Sequence, residues 1–211
     1  MKIIDAHLHL FTEDSAEEMA RQGGHHGTVS HLRQANCCGV KLYPGYNRIS
    51  LSDPLYEPIY RLAARYGKPV AVHMGLTSFS RAHLKYCHPL ALDEAAADHP
   101  DTRFVMCHFG NPFLEAAAAV VEKNPNVAAD LSGLLEGRVD LDDYFQEQAG
   151  YVFLLRSWLT AIQCWDKVMF GTDWPIVNLG EYIGFIARLV PERYHEAVFF
   201  DNANRIYGLG L

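Results

Sequence analysis

Ile3-Ile4-Asp5-Ala6-His7-Leu8-His9 is an apolar run closed by two histidines one residue apart. It reads as a buried strand, and because side chains alternate faces along a strand, both imidazoles leave the same rigid edge on the same side. Four further runs end in groups of similar chemistry: Val70-Ala71-Val72-His73, Phe104-Val105-Met106-Cys107-His108, Val168-Met169-Phe170-Gly171-Thr172-Asp173 and Gly39-Val40-Lys41. Packing alone does not ask for ligand-type residues at the ends of separate strands. The apolar runs and their Gly, Pro, Asn and Asp punctuation predict strands at about 2–9, 38–43, 69–74, 103–109, 126–131 and 167–172. Helices are expected near 13–22, 28–36, 54–66, 88–98, 112–123, 140–163 with a break at Gly150, 179–190 and 201–208, roughly by the same signals. Alternation of this kind argues for an α/β domain built on a parallel sheet.

A chain of 211 residues, 49% hydrophobic with a net charge of −7, has the bulk for one globular domain with its own core. Its 18 Lys and Arg residues are scattered, without the basic stripe that a nucleic-acid partner requires. No stretch approaches the ~18–20 consecutive apolar residues of a membrane span, so no membrane association is expected. The first residues enter a strand directly, which makes the cytoplasm the expected location. Five cysteines, odd in number and without Cys-x-x-Cys spacing, are read as reduced thiols. Cys107 adjoins His108 on a strand and is expected to face the other way, toward covering helices.

Asp5-Ala6-His7-Leu8-His9, Gly39-Val40-Lys41-Leu42-Tyr43-Pro44, His73, Met106-Cys107-His108-Phe109-Gly110, Asp130-Leu131-Ser132-Gly133 and Phe170-Gly171-Thr172-Asp173-Trp174-Pro175 follow one another in an order that resembles the amidohydrolase superfamily. The likeness is to the branch called amidohydrolase family 2, and Asn202-Ala203-Asn204-Arg205-Ile206-Tyr207 is similar to its closing helix. The resemblance implies a (β/α) TIM-barrel-like fold forming one domain over residues 1–211. About thirty residues between His9 and Gly39 leave no room for two further strand–helix units of ~30 residues each, so the barrel is expected to be reduced to about six strands. Residues 10–38 or a second copy in a homodimer would then cover the exposed edge.

The resemblance also implies a site. His7, His9, His73 and Asp173 would bind one divalent ion, with Zn²⁺ expected and Mn²⁺ the alternative, since neutral imidazole and carboxylate suit both. Such an ion lowers the pKa of its water from 15.7 to about 7. Asp173 would accept a proton, and His108 would act as general acid or base or polarise a carbonyl. Asp5 is read as a supporting hydrogen-bonding residue rather than a ligand. Lys41 admits three readings: a substrate-carboxylate contact, a rim salt bridge, or the carbamylated lysine of two-metal relatives. Tyr43, His88 and Trp174 are candidate substrate contacts. Ser132 lacks the Gly-x-Ser-x-Gly setting of a nucleophile and is read as a structural strand end. The expected activity is metal-dependent hydrolysis of a small carboxylate-bearing lactone, amide or cyclic ester. Non-oxidative decarboxylation is the alternative, and a degenerate, non-catalytic paralogue acting in binding or assembly is the reading from another class.

Overall fold

Five short apolar segments pair side by side, all parallel and in chain order. They are β1 (Val40–Leu42), β2 (Val70–His73), β3 (Phe104–Cys107), β4 (Val127–Asp130) and β5 (Val168–Met169) in a computed structural model that describes residues 1–6 and 37–211. Helices alternate with them: α1 (Pro44–Asn47), α2 (Glu57–Arg65), α3 (Pro89–Asp98), α4 (Leu114–Lys123), α5 (Leu141–Glu147), α6 (Ala149–Ile162), α7 (Leu179–Leu189) and α8 (Asn202–Tyr207). Parallel neighbours need long crossovers, and the helices supply them. The break expected at Gly150 falls at Gln148, whose φ of −98° and ψ of 24° separate α5 from α6. Gly150 has open space around it and stays within α6.

Side-chain alternation divides the core in two. Val70, Val72, Phe104, Met106, Val127, Ala129, Val168 and Phe170 join the larger cluster, with Leu92, Ala117 and Val121 from α3 and α4. Ala71, Val105, Ala128 and Met169 point to the other face and meet Ala203, Ile206 and Tyr207 of α8, together with Ile4 and Ala6. The last helix and the first residues thus fill the face of the sheet that the other helices leave open.

The N-terminal segment lies between the chain leaving β5 and the helical turn at Ala197–Asp201. Ile4 N donates to Phe199 O at 2.7 Å and Ala6 N to Phe170 O at 3.1 Å. Residues 2–6, expected to open a strand, are not paired as one; they border the end of β5, at the edge opposite β1. Residues 7–9 of that strand, the two helices expected before residue 37 and most of the segment expected to cover the opening lie outside the described residues. Among the described residues, β1 has a single strand neighbour, β2.

Buried polar side chains pin the ends of the sheet. Asn202, 3% exposed, donates through Nδ2 to Trp165 O at 2.7 Å and Val168 O at 2.8 Å, fastening α8 to the entry of β5. Replacing it strands two carbonyls at roughly 1–3 kcal/mol each. Asn202→Ala should lower the urea-unfolding free energy by about 2 kcal/mol or more, and Asn202→Asp, which cannot donate, by at least as much.

Asp93 joins α3 to α4, taking Lys123 Nζ at 2.7 and 2.8 Å and Asn124 Nδ2 at 2.7 Å. Partial burial opposes its charge, yet the hydrogen bonds from Asn124 and Lys123 and the lysine's charge hold its pKa below the usual carboxylate range. A depressed folded pKa contributes stability above the unfolded pKa and loses it as pH falls through the folded one. Asp93→Asn should therefore lower the urea midpoint at neutral pH and narrow the difference from wild type in acid.

Candidate active site

β2 and β3 run in register, with His73 opposite Cys107. His73 ends β2 on the same face as Ala71, away from the helices covering Val70 and Val72. Beyond Cys107 the backbone turns left-handed for three residues, with φ values of 62° at His108, 44° at Phe109 and 59° at Gly110. That reversal breaks the alternation. His108 therefore does not take the helix-facing side that its place after Cys107 assigns to it, and its Nε2 lies 3.0 Å from His73 Nδ1.

Cys107 is the matching correction. It was expected to face the covering helices, but Lys41 Nζ, on the inner face of β1, lies 2.8 Å from its sulfur. Cys107 follows the inward set of Val105, and it is His108 that departs from the strand.

The outer nitrogens of the two rings define their tautomers. His73 Nε2 lies 3.0 Å from Leu76 O, and His108 Nδ1 lies 3.2 Å from Ser132 O and 2.9 Å from Ser132 Oγ. A carbonyl oxygen only accepts, so each outer nitrogen carries its hydrogen. In neutral rings the inner nitrogens are then both lone-pair bearers, facing one another at 3.0 Å. Two facing acceptors repel, and either a proton or a metal cation at the pair removes the repulsion. Asp173 Oδ2 stands 4.0 Å from His108 Nδ1, on the outer side of that ring beside its Ser132 partners. Nitrogen and oxygen donors of this kind fit zinc or manganese. Among the described residues no group of three His, Cys, Asp or Glu side chains is assembled for a metal ion, and His7 and His9 lie outside them.

Asp173 is set by its loop. It has a φ of 63°, and the preceding Thr172 is gripped by Asp5, which accepts from Thr172 N at 2.9 Å and from Thr172 Oγ1 at 2.5 Å. Trp174 N donates back to Thr172 Oγ1 at 3.0 Å. A side chain on Gly133 would come within 2.9 Å of His108 Nδ1 and 3.4 Å of Asp173 Oδ2, so the site requires glycine there for close approach.

The remaining predicted residues divide. Tyr43 stacks on His73 at 5.9 Å between centroids and Tyr46 meets the same ring edge-on at 5.1 Å, forming an aromatic wall. Burial, then the electrostatic influence of Cys107 and Asp173, pushes the Tyr43 hydroxyl above its ordinary pKa, so it remains a neutral donor. Lys41 Nζ lies 5.3 Å from the Tyr43 ring centroid and belongs to this group. Trp174, 43% exposed, lines a neighbouring cleft with Arg138 and Ile176. His88 is not brought to the site by its contacts: its Nδ1 accepts Leu90 N at 3.3 Å, capping α3, and its ring packs on Phe113. Tyr46, Asp130 and Ser132 were missed as site residues. Tyr46 lies in a short helix with no strand signal, and the other two contact His108 only because β3 reverses hand.

A family model described as Amidohydrolase matches residues 9–209. No curated protein matches the chain in sequence. Among solved structures, an uncharacterised TIM-barrel protein of Bordetella bronchiseptica is 21% identical, with a TM-score of 0.62 over 95% of this chain and 64% of its own. A candidate 2-pyrone-4,6-dicarboxylic acid hydrolase from Pseudomonas putida is 18% identical, with a TM-score of 0.61 over 97% of this chain and 72% of its own. A dihydroxybenzoic acid decarboxylase from a Polaromonas species, solved with bound manganese, is 14% identical, with a TM-score of 0.53 over 77% and 56%. The chain thus spans somewhat under two thirds of the length of the Bordetella protein. The parallel sheet with its helical crossovers is of the TIM-barrel type, reduced in its described part to five strands and the N-terminal segment, and the chain belongs to the amidohydrolase family.

Proposed function

We propose that this protein is a metal-dependent hydrolase of a small carboxylate-bearing lactone, amide or cyclic ester. The observation that carries the reading is His73, whose Nε2 is committed to Leu76 O so that its Nδ1 faces the site, with His108 Nε2 3.0 Å away as the neighbouring proton acceptor. We assign His73 and Asp173 as ligands of one divalent ion, together with His7 and His9, whose His-x-His spacing in the sequence suits a shared ion. When bound, such an ion supplies a water of lowered pKa and polarises a carbonyl.

The chain's own groups supply the rest. His108 Nε2 bears the lone pair that accepts a proton from the attacking water and returns it to the departing oxygen or nitrogen. Tyr43 and Tyr46 give a planar substrate an apolar wall beside His73, and Tyr43 offers a neutral hydroxyl. Lys41 places a cation beneath that wall, suited to a carboxylate.

Purified protein loaded with Zn²⁺ or Mn²⁺ and offered 2-pyrone-4,6-dicarboxylate should consume the ring absorbance without releasing carbon dioxide. Carbon dioxide from this compound or from a dihydroxybenzoate would replace hydrolysis by decarboxylation. Binding without turnover across such a panel would favour the non-catalytic reading.

Two variants separate holding the ion from moving the proton. His73→Ala should lose bound metal by elemental analysis. His108→Asn should keep the metal while turnover falls roughly 10²-fold or more, the usual scale for a positioned acid–base group. A parallel loss of metal in His108→Asn would make His108 a ligand.

A further inference from the structure

Asp130 is 0% exposed, as is Ser132, and both lie at the end of β4 where the sequence offers no nucleophile motif. One oxygen of this carboxylate gathers three donors: His108 N at 2.9 Å, Ser132 N at 3.1 Å and Ser132 Oγ at 2.5 Å. The Ser132 hydroxyl spends its hydrogen on Asp130, so its lone pair is left to accept His108 Nδ1–H at 2.9 Å. Asp130 thus reaches His108 twice, directly at the backbone amide and through Ser132 at the ring. The amide it holds opens the left-handed stretch, where non-glycine residues are strained.

We infer that Asp130 and Ser132 are positioning residues for His108: a buried carboxylate clamps its backbone and, through the serine hydroxyl, fixes its ring as the Nδ1–H tautomer so that Nε2 presents a lone pair to the site. Charge-assisted hydrogen bonds are the stronger kind, and a buried carboxylate needs such donors to remain ionised. An Asx turn alone would account for the bond from Ser132 N to Asp130, but not for the serine hydroxyl lying between the carboxylate and the ring. The proton-transfer role of His108 is the reading proposed above. The clamp is measured without turnover, so failure of one does not entail failure of the other.

The test is the tautomer of His108, read from ring ¹⁵N shifts of histidine-labelled, zinc-loaded protein in mildly alkaline solution, with the signals assigned by their loss in His108→Gln. Wild type should show a pyrrole-type Nδ1 and a pyridine-type Nε2. Ser132→Ala removes the 2.9 Å acceptor and leaves the carbonyl at 3.2 Å, so the Nε2–H form should rise several-fold. Asp130→Asn keeps an accepting Oδ1 without the charge and should fall between the two, while Ser132→Thr, which restores the hydroxyl, should return the shifts toward wild type. Unchanged ring shifts in folded Ser132→Ala and Asp130→Asn would overturn the assignment and leave the two residues as a turn. Should those variants fail to fold, the wild type carries the test alone: the Ser132 hydroxyl proton should exchange slowly and show a cross-peak to the His108 ring, and its absence would count against the clamp.

Discussion

The site depends on the change of backbone hand at the end of β3. A strand that kept its alternation past Cys107 would send His108 among the helices. Three left-handed residues turn it back instead, and the ring arrives 3.0 Å from His73. Gly110 is the only one of the three for which such a backbone is free of steric cost. A side chain there would also come within 2.7 Å of Pro89 Cγ, which binds the turn to the start of α3. His108 and Phe109 are strained positions, and the strain is answered by Asp130 at the His108 amide and by complete burial of the Phe109 ring.

Strain of this sort requires a rigid surround, and the two-sided packing of the sheet supplies it. The larger cluster holds the strands against α3, α4, α6 and α7, while α8 and the first residues pack on the other face. Arg103 donates to Ile206 O, and Asn202 donates to carbonyls at the entry of β5, so the closing helix is joined to β3 and β5 by hydrogen bonds as well as by apolar contact. Asp5 extends the same fastening to the other end of the sheet. From the N-terminal segment it grips Thr172, next to Asp173, and so orients the carboxylate of the site.

The strands were legible because the sheet is buried on both faces at β3 and β4, which leaves continuous apolar runs such as Phe104–Cys107 and Val127–Ala129. The places of His73 at the end of β2 and of Asp173 beyond β5 were legible because each follows such a run. The inward face of Cys107 was not, since the expectation carried alternation one residue too far: φ at His108 is a property of the turn, and no residue preference announces it. Ser132 was read by the absence of a nucleophile motif, which excludes one role and says nothing about a hydroxyl that relays a carboxylate to a ring. His88 shows the reverse failure. A histidine in a loop beside the catalytic face looked available, yet its ring accepts the Leu90 amide at the start of α3.

The same geometry explains why the two histidines differ in kind although both end strands. His73 has its outer nitrogen on Leu76 O, in the loop that leaves its own strand, so its ring is held by local backbone. His108 is held by groups from the neighbouring strand, through Ser132 and Asp130. A ligand needs only a fixed lone pair, which a single carbonyl provides. A proton carrier needs a lone pair whose ring stays in place as its charge changes, and a buried carboxylate reached through a hydroxyl steadies the charged ring as well as the neutral one. The difference in support therefore follows the difference in proposed role, and it arises because β4 ends beside the reversal in β3 while the loop after β2 folds back on its own histidine.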